Sequence, residues 1–158
     1  MRFIACCFIV LCVGFGCSES DKLSLLDGST RDASGEIVTS GRVGVLRLLP
    51  GDCFLIAADE IEAVDAVPCA EKHQAEVFSI FDLADTKWPG ASLVAQIAKS
   101  SCLDRFQSAT GRPFDPALMT ITGYAPSEES WVDDRRVLCV VTAHNLGLVR
   151  GKITLRSR

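Results

Sequence analysis

Cys69 is followed four residues later by His73, one of only two histidines in the 158-residue chain, and Glu71 and Glu76 flank that histidine. Residues four apart on a helical turn face the same way, so a Cys69 thiolate with His73 as its base would form a nucleophilic pair. Taken with its neighbours instead, His73 and the two carboxylates are a donor set for a metal ion or for the amines of an envelope polymer. The ordinary alternative is that His73 hydrogen-bonds and orders the loop after Cys69 while the carboxylates stay solvated. His144, beside Asn145 and Gly147 in an expected turn, reads as a loop histidine. Trp131 stands among Glu128, Glu129, Asp133 and Asp134. An aromatic in a polar loop is a candidate recognition residue, and its competing reading is a side chain folded back onto the core. No Gly-x-Ser-x-Gly elbow, phosphate-cradling glycine loop or His-Glu-x-x-His pair occurs, so no enzymatic activity is expected.

The compartment follows from the N-terminus. Arg2 precedes an apolar run from Phe3 to Val13 that ends in Gly14, Phe15, Gly16 and Cys17, which is the order of a signal peptide. Ser18, Glu19, Ser20 and Asp21 cut the run off well short of the roughly 20 apolar residues that a membrane span requires. Gly16 before Cys17 resembles the lipobox of bacterial lipoproteins, with Gly14 where leucine is usual. That resemblance implies a diacylglycerol on the Cys17 thiol, and two acyl chains hold a protein stably at a membrane. The expected organisation is a signal peptide over 1–16, a lipid-anchor cysteine and flexible tether over 17–41, and one domain over 42–158. The expected location is the outer face of the cytoplasmic membrane, or secretion if Cys17 is not modified.

Of eight cysteines, Cys6, Cys7 and Cys12 lie in the expected signal peptide and Cys17 is the expected lipid acceptor, leaving Cys53, Cys69, Cys102 and Cys139. Zinc and redox sites both want close Cys-x-x-Cys pairs, and none exists here. An even number in an exported domain points to disulfides, for which three connectivities are open. Pairing Cys53 with Cys69 and Cys102 with Cys139 is preferred, since the first closes a local loop between strand edges and the second ties a helix to a late strand. The same compartment would oxidise a lone thiol, which weakens the nucleophile reading.

These residues are positioned by a run of short elements: Arg42–Leu49, Ile61–Val67, Glu76–Leu83, Leu118–Tyr124 and Arg136–Thr142 read as strands, with a short piece at Cys53–Ile56 and an edge strand in the tail from Gly147 to Leu155. Glu76–Leu83 is apolar enough for a central position. Val94, Ala98, Cys102, Phe106 and Ala109 recur along one stripe of a helix expected over 91–109, stopped by Gly111 and Pro113. The order predicts an α+β domain with a mainly antiparallel sheet of about 4–6 strands and one main helix. At 48% hydrophobic and 23% charged the chain can bury a core. Its net charge of -4 makes nucleic acid a poor partner.

Gly51, Asp52, Cys53 and Phe54, then Val67, Pro68 and Cys69, then His73, Glu76 and Val77 recur with Trp88, Pro89, Gly90, with Cys102 and Phe106, and with Trp131, Asp134, Arg135, Val137 and Cys139. This set resembles the septum formation domain family of actinobacterial envelope proteins over about Val45 to Gly151. One departure is local: Asp133, Asp134 and Arg135 stand where that family tends to have Gly-Asp-Arg. The resemblance implies an exported or membrane-tethered protein in a cell-division context and brings no catalytic residues. The expected function is a cell-envelope lipoprotein with a non-catalytic binding or scaffolding domain. The alternatives are an envelope hydrolase using His73 and nearby carboxylates, or a small-ligand carrier with an apolar pocket between helix and sheet. No cofactor or metal is expected. The expected partners are the membrane, through Cys17, and an envelope protein or wall component.

Overall fold

The β-branched and aromatic run around Val77 folds as the middle of a six-stranded antiparallel sheet. In the computed structural model, which describes residues 28–56 and 62–155, the chain runs through β1 (Thr30–Arg31), β2 (Ile37–Thr39), β3 (Gly41–Gly44), β4 (Cys53–Leu55), β5 (Ala63–Val67), β6 (Ala75–Asp82), α1 (Ala91–Thr110), β7 (Met119–Tyr124) and β8 (Arg136–Ala143). The main sheet has the order β3-β5-β4-β6-β8-β7, and β1 and β2 form a separate hairpin. The α+β reading, the single long helix and the central place of β6 hold.

Each face of the sheet carries its own core. On one face α1 lays Val94, Ala98, Cys102 and Phe106, all buried, against Met119, Ile121, Val137 and Val141. The ring of Phe106 meets Phe78 edge-on at 5.1 Å. The stripe continues to Thr110 at the same spacing of four, and Ala109 is exposed, which corrects the expected fifth position. Side chains and a disulfide fill the centre of this interface. On the other face Phe54, Ala66, Ala75, Val77, Leu138 and Val140 cluster with Ile37 and Leu48.

Both preferred disulfides form. Cys53 at the start of β4 joins Cys69 just past β5, with Cα atoms 5.2 Å apart. Cys102 in the middle of α1 joins Cys139 in β8 at 5.3 Å. Closing loops of this size is worth roughly 3 kcal/mol apiece.

Three expectations are corrected. The run Arg42–Leu49 is a strand only to Gly44; Val45–Arg47 is a 3₁₀ turn that swings Leu48 into the second core, where it is fully buried. Consecutive apolar residues cannot all face one side of a strand, and the turn resolves that conflict. The tail forms no edge strand: Val149 makes an isolated bridge to His73, then Gly151 turns with φ of 73° into a 3₁₀ turn at Ile153–Leu155. The tether expected over 17–41 lies outside the described residues up to Asp27, as do Cys17 and the signal peptide expected over 1–16, but from Gly28 onward the stretch is built into the fold. There Asp32 Oδ1 accepts from the Ser34 N–H and hydroxyl and from the Glu36 N–H, closing the turn between β1 and β2. Among the described residues no helix is long and apolar enough to cross a membrane.

Candidate functional site

The disulfide to Cys53 removes the Cys69 thiol, and with it the nucleophilic pair. His73 is completely buried. Its backbone N–H donates to Val149 O at 3.0 Å and its carbonyl accepts from the Val149 N–H at 2.9 Å. Nδ1 lies 2.9 Å from Glu71 O, a partner that only accepts, so Nδ1 carries the proton and ties the imidazole to the loop after Cys69. Nε2 is buried with no hydrogen-bond partner among the described residues.

The two carboxylates part company. Glu71 is exposed and accepts from the Ser40 hydroxyl at 3.2 Å. Glu76 is not solvated: it is 2% exposed on β6 and accepts from the Thr154 N–H at 3.0 Å and the Thr154 hydroxyl at 2.9 Å. It therefore latches the C-terminal turn to the central strand. Among the described residues no three His, Cys, Asp or Glu side chains converge to hold a metal.

A different charged pair organises the Cys53 region. Arg31 of β1 grips Asp52 with both guanidinium arms, Nη1 to Oδ1 at 2.6 Å and Nη2 to Oδ2 at 2.7 Å. Asp52 is buried, and its Oδ2 also accepts from the Leu49 N–H at 2.7 Å, so the carboxylate closes the Pro50–Gly51 turn while pairing with the hairpin. Beside it a cavity of about 180 Å³ runs between Glu36, Asp52, Cys53, Pro68, Cys69 and Lys152. Lys152 and Glu36 face each other at 3.2 Å. The sequence reading missed this pair because Arg31 lay in the presumed tether; the one available signal was an aspartate beside a Pro-Gly turn.

Trp131 belongs to the core rather than the surface, at 3% exposed, and its Nε1 is buried without a partner among the described residues. Its loop turns through Asp133 and Asp134, whose N–H groups both donate to Ser130 O, and the Asp134 carboxylate accepts from the Arg136 N–H at 2.9 Å. The Asp134 side chain thus closes the turn before β8. The aromatic that reaches the surface is Trp88, packed edge-on against Trp131 at 5.0 Å. Trp88 borders an open cleft of about 450 Å³ whose other walls include Ala91 and Ala95 of α1, Gly123 of β7, Pro126 and Glu128. Tyr124 ends β7 nearby in sequence, and partial burial raises its phenol above the ordinary value of 10.0. His144 is exposed in a 3₁₀ turn.

The family model for septum formation matches residues 50–152. That span begins at the turn closed by Asp52, contains both disulfides and the Trp88 cleft, and leaves the β1–β2 hairpin and β3 outside it. No curated protein and no solved structure matches the chain. With the match covering most of its length, this chain belongs to the septum formation domain family.

Proposed function

We propose that the protein is an exported lipoprotein, held by a diacylated Cys17 at the outer face of the cytoplasmic membrane, whose septum formation domain binds or scaffolds envelope components without catalysis. The observation that carries the reading is the use to which the acid–base residues of the matched segment are put. His73 and Glu76 are both buried and hold the chain's own loop and tail, leaving neither presented to a substrate. The two disulfides and the septum-related domain are consistent with a protein outside the cytoplasm. The leader ending in Gly16 and Cys17 supports the anchor.

Two measurements test this. Intact mass of the mature protein should place the N-terminus at Cys17 with a diacylglycerol attached; an unmodified Cys17, or cleavage elsewhere, removes the anchor. Incubated with purified wall fragments, the oxidised protein should bring them down on sedimentation and leave their size distribution unchanged. Release of soluble fragments would establish a hydrolase instead.

A further inference from the structure

The outer edge of the sheet at β7 is an unguarded template. Sheets ordinarily blunt their edges with a lysine, a proline or a bulge, because unpaired N–H and C=O groups invite another strand. The sequence of β7, Met-Thr-Ile-Thr-Gly-Tyr, has none of these and is paired without irregularity along its whole length to β8. Among the described residues nothing pairs with its outer side.

The register fixes which groups point outward. The His144 N–H donates to Leu118 O, so the hydrogen-bonded pairs are the alternate ones, Thr120 with Thr142, Thr122 with Val140 and Tyr124 with Leu138. The main-chain groups of Ile121 and Gly123 therefore face away from β8. Only another extended backbone matches donors and acceptors at that spacing.

Beside this edge lies the Trp88 cleft. Its walls are apolar apart from the Ser127 hydroxyl and the Glu128 carboxylate, and no lysine or arginine lines it. Glu128 is exposed and makes no ion pair among the described residues. The loop from Pro126 to Asp134 carries Glu128, Glu129, Asp133 and Asp134 and no basic residue. An aromatic wall with a carboxylate at the rim suits a cation on an apolar stem, which stacks on the indole while its charge meets the acid. Two copies of the chain, each of net charge -4, would repel at this edge, whereas a basic segment would be drawn to it.

We propose that β7 is the docking edge for an extended basic peptide segment of a partner protein, which adds as a strand beside Ile121 and Gly123 and seats a lysine or arginine between Trp88 and Glu128. The proposal deepens the binding role given above and rests on it, but its test needs neither the anchor nor wall material, so either can fail alone.

The probe is the capped peptide acetyl-Lys-Thr-Lys-Thr-Lys-Thr-amide, titrated into the oxidised full chain through the roughly millimolar range expected of so short a segment. Trp88 and Trp131 are the only two tryptophans, so indole resonances and fluorescence report the cleft directly, and the Ile121 and Gly123 amides report the edge. The expected result is a saturable shift of the Trp88 indole together with slowed exchange of the Ile121 and Gly123 amides. Glu128→Gln, at an exposed position, should weaken binding about two- to fivefold, and Trp88→Leu by about fivefold. Near-ultraviolet circular dichroism checks that each variant keeps its fold. Equal binding by the all-glutamate counterpart of the peptide would overturn the proposal. So would equal binding by a version interrupted with proline, which keeps charge but cannot pair, or shifts confined to the 126–134 loop. Protection of Ile121 and Gly123 that grows with protein concentration and without peptide would assign the edge to a second copy. Absence of any response to the lysine peptide would refute it outright.

Discussion

Tyr124 is the one tyrosine of the chain, which makes a residue-scale prediction readable without labels. Partial burial at the end of β7 disfavours the charged phenolate, so its titration, followed by ultraviolet absorbance, should have a midpoint above 10.0. The folded protein then holds this proton more tightly than the unfolded chain. Tyr124's contribution to stability is fully present below the unfolded value and is lost as pH rises through the raised folded one. A midpoint at or below the ordinary value would mean that the phenol is more open to water than its 44% exposure indicates. At this same scale two of the residues expected to carry chemistry or recognition change character. His73 became a buried tie between two loops, and Trp131 a backing for the surface indole of Trp88.

At the scale of elements, the seat of α1 on β7 depends on a residue with no side chain. A Cβ on Gly123 would come within 2.9 Å of the Ala98 carbonyl carbon and 3.0 Å of its Cβ. Backbone cannot rotate away as a flexible side chain can. Gly123→Ala should therefore push the helix off the strand and cost about 1–3 kcal/mol in thermal unfolding; an unchanged midpoint would mean that α1 slides freely. The sequence reading found this helix because its stripe repeats every four residues, and it found β6 and β8 because their apolar runs are long. It overextended the strand after Arg42 and invented one in the tail. Apolar residues alone do not say that Leu48 will turn inward, or that Thr154 will be captured by Glu76 across 78 residues of chain.

For the whole molecule, the ion pair between Arg31 and Asp52 decides where the domain begins. It holds a hairpin from outside the matched segment onto the turn that opens it. Arg31→Ala leaves Asp52 buried beside a single backbone donor, and stability to denaturant with the disulfides intact should fall by about 3 kcal/mol. Adding Asp52→Asn should recover part of that loss by removing the stranded charge. No recovery in the double variant would show that the hairpin acts through packing, as by Ile37 buried in the second core, rather than through charge.

What the amino-acid sequence determined by itself is whatever is encoded locally or by count. The α+β class follows from periodicity, the disulfide framework from an even set of four cysteines in the expected domain, and the family from spaced short motifs around Cys53, Cys69, Cys102 and Cys139. Tertiary structure alone decided the rest, because it depends on which distant residues meet. A stretch of Ser, Asp and Gly reads equally as a linker and as a tight turn; Asp32 closes the turn, and the docking of Arg31 on Asp52 fixes it to the domain. A histidine between two glutamates reads as a site until the fold buries His73 and Glu76 on separate partners and leaves Glu71 at the surface. The Trp88 cleft and the open β7 edge could not be read from sequence, since the residues that form them come from separate segments joined only by the order of the strands.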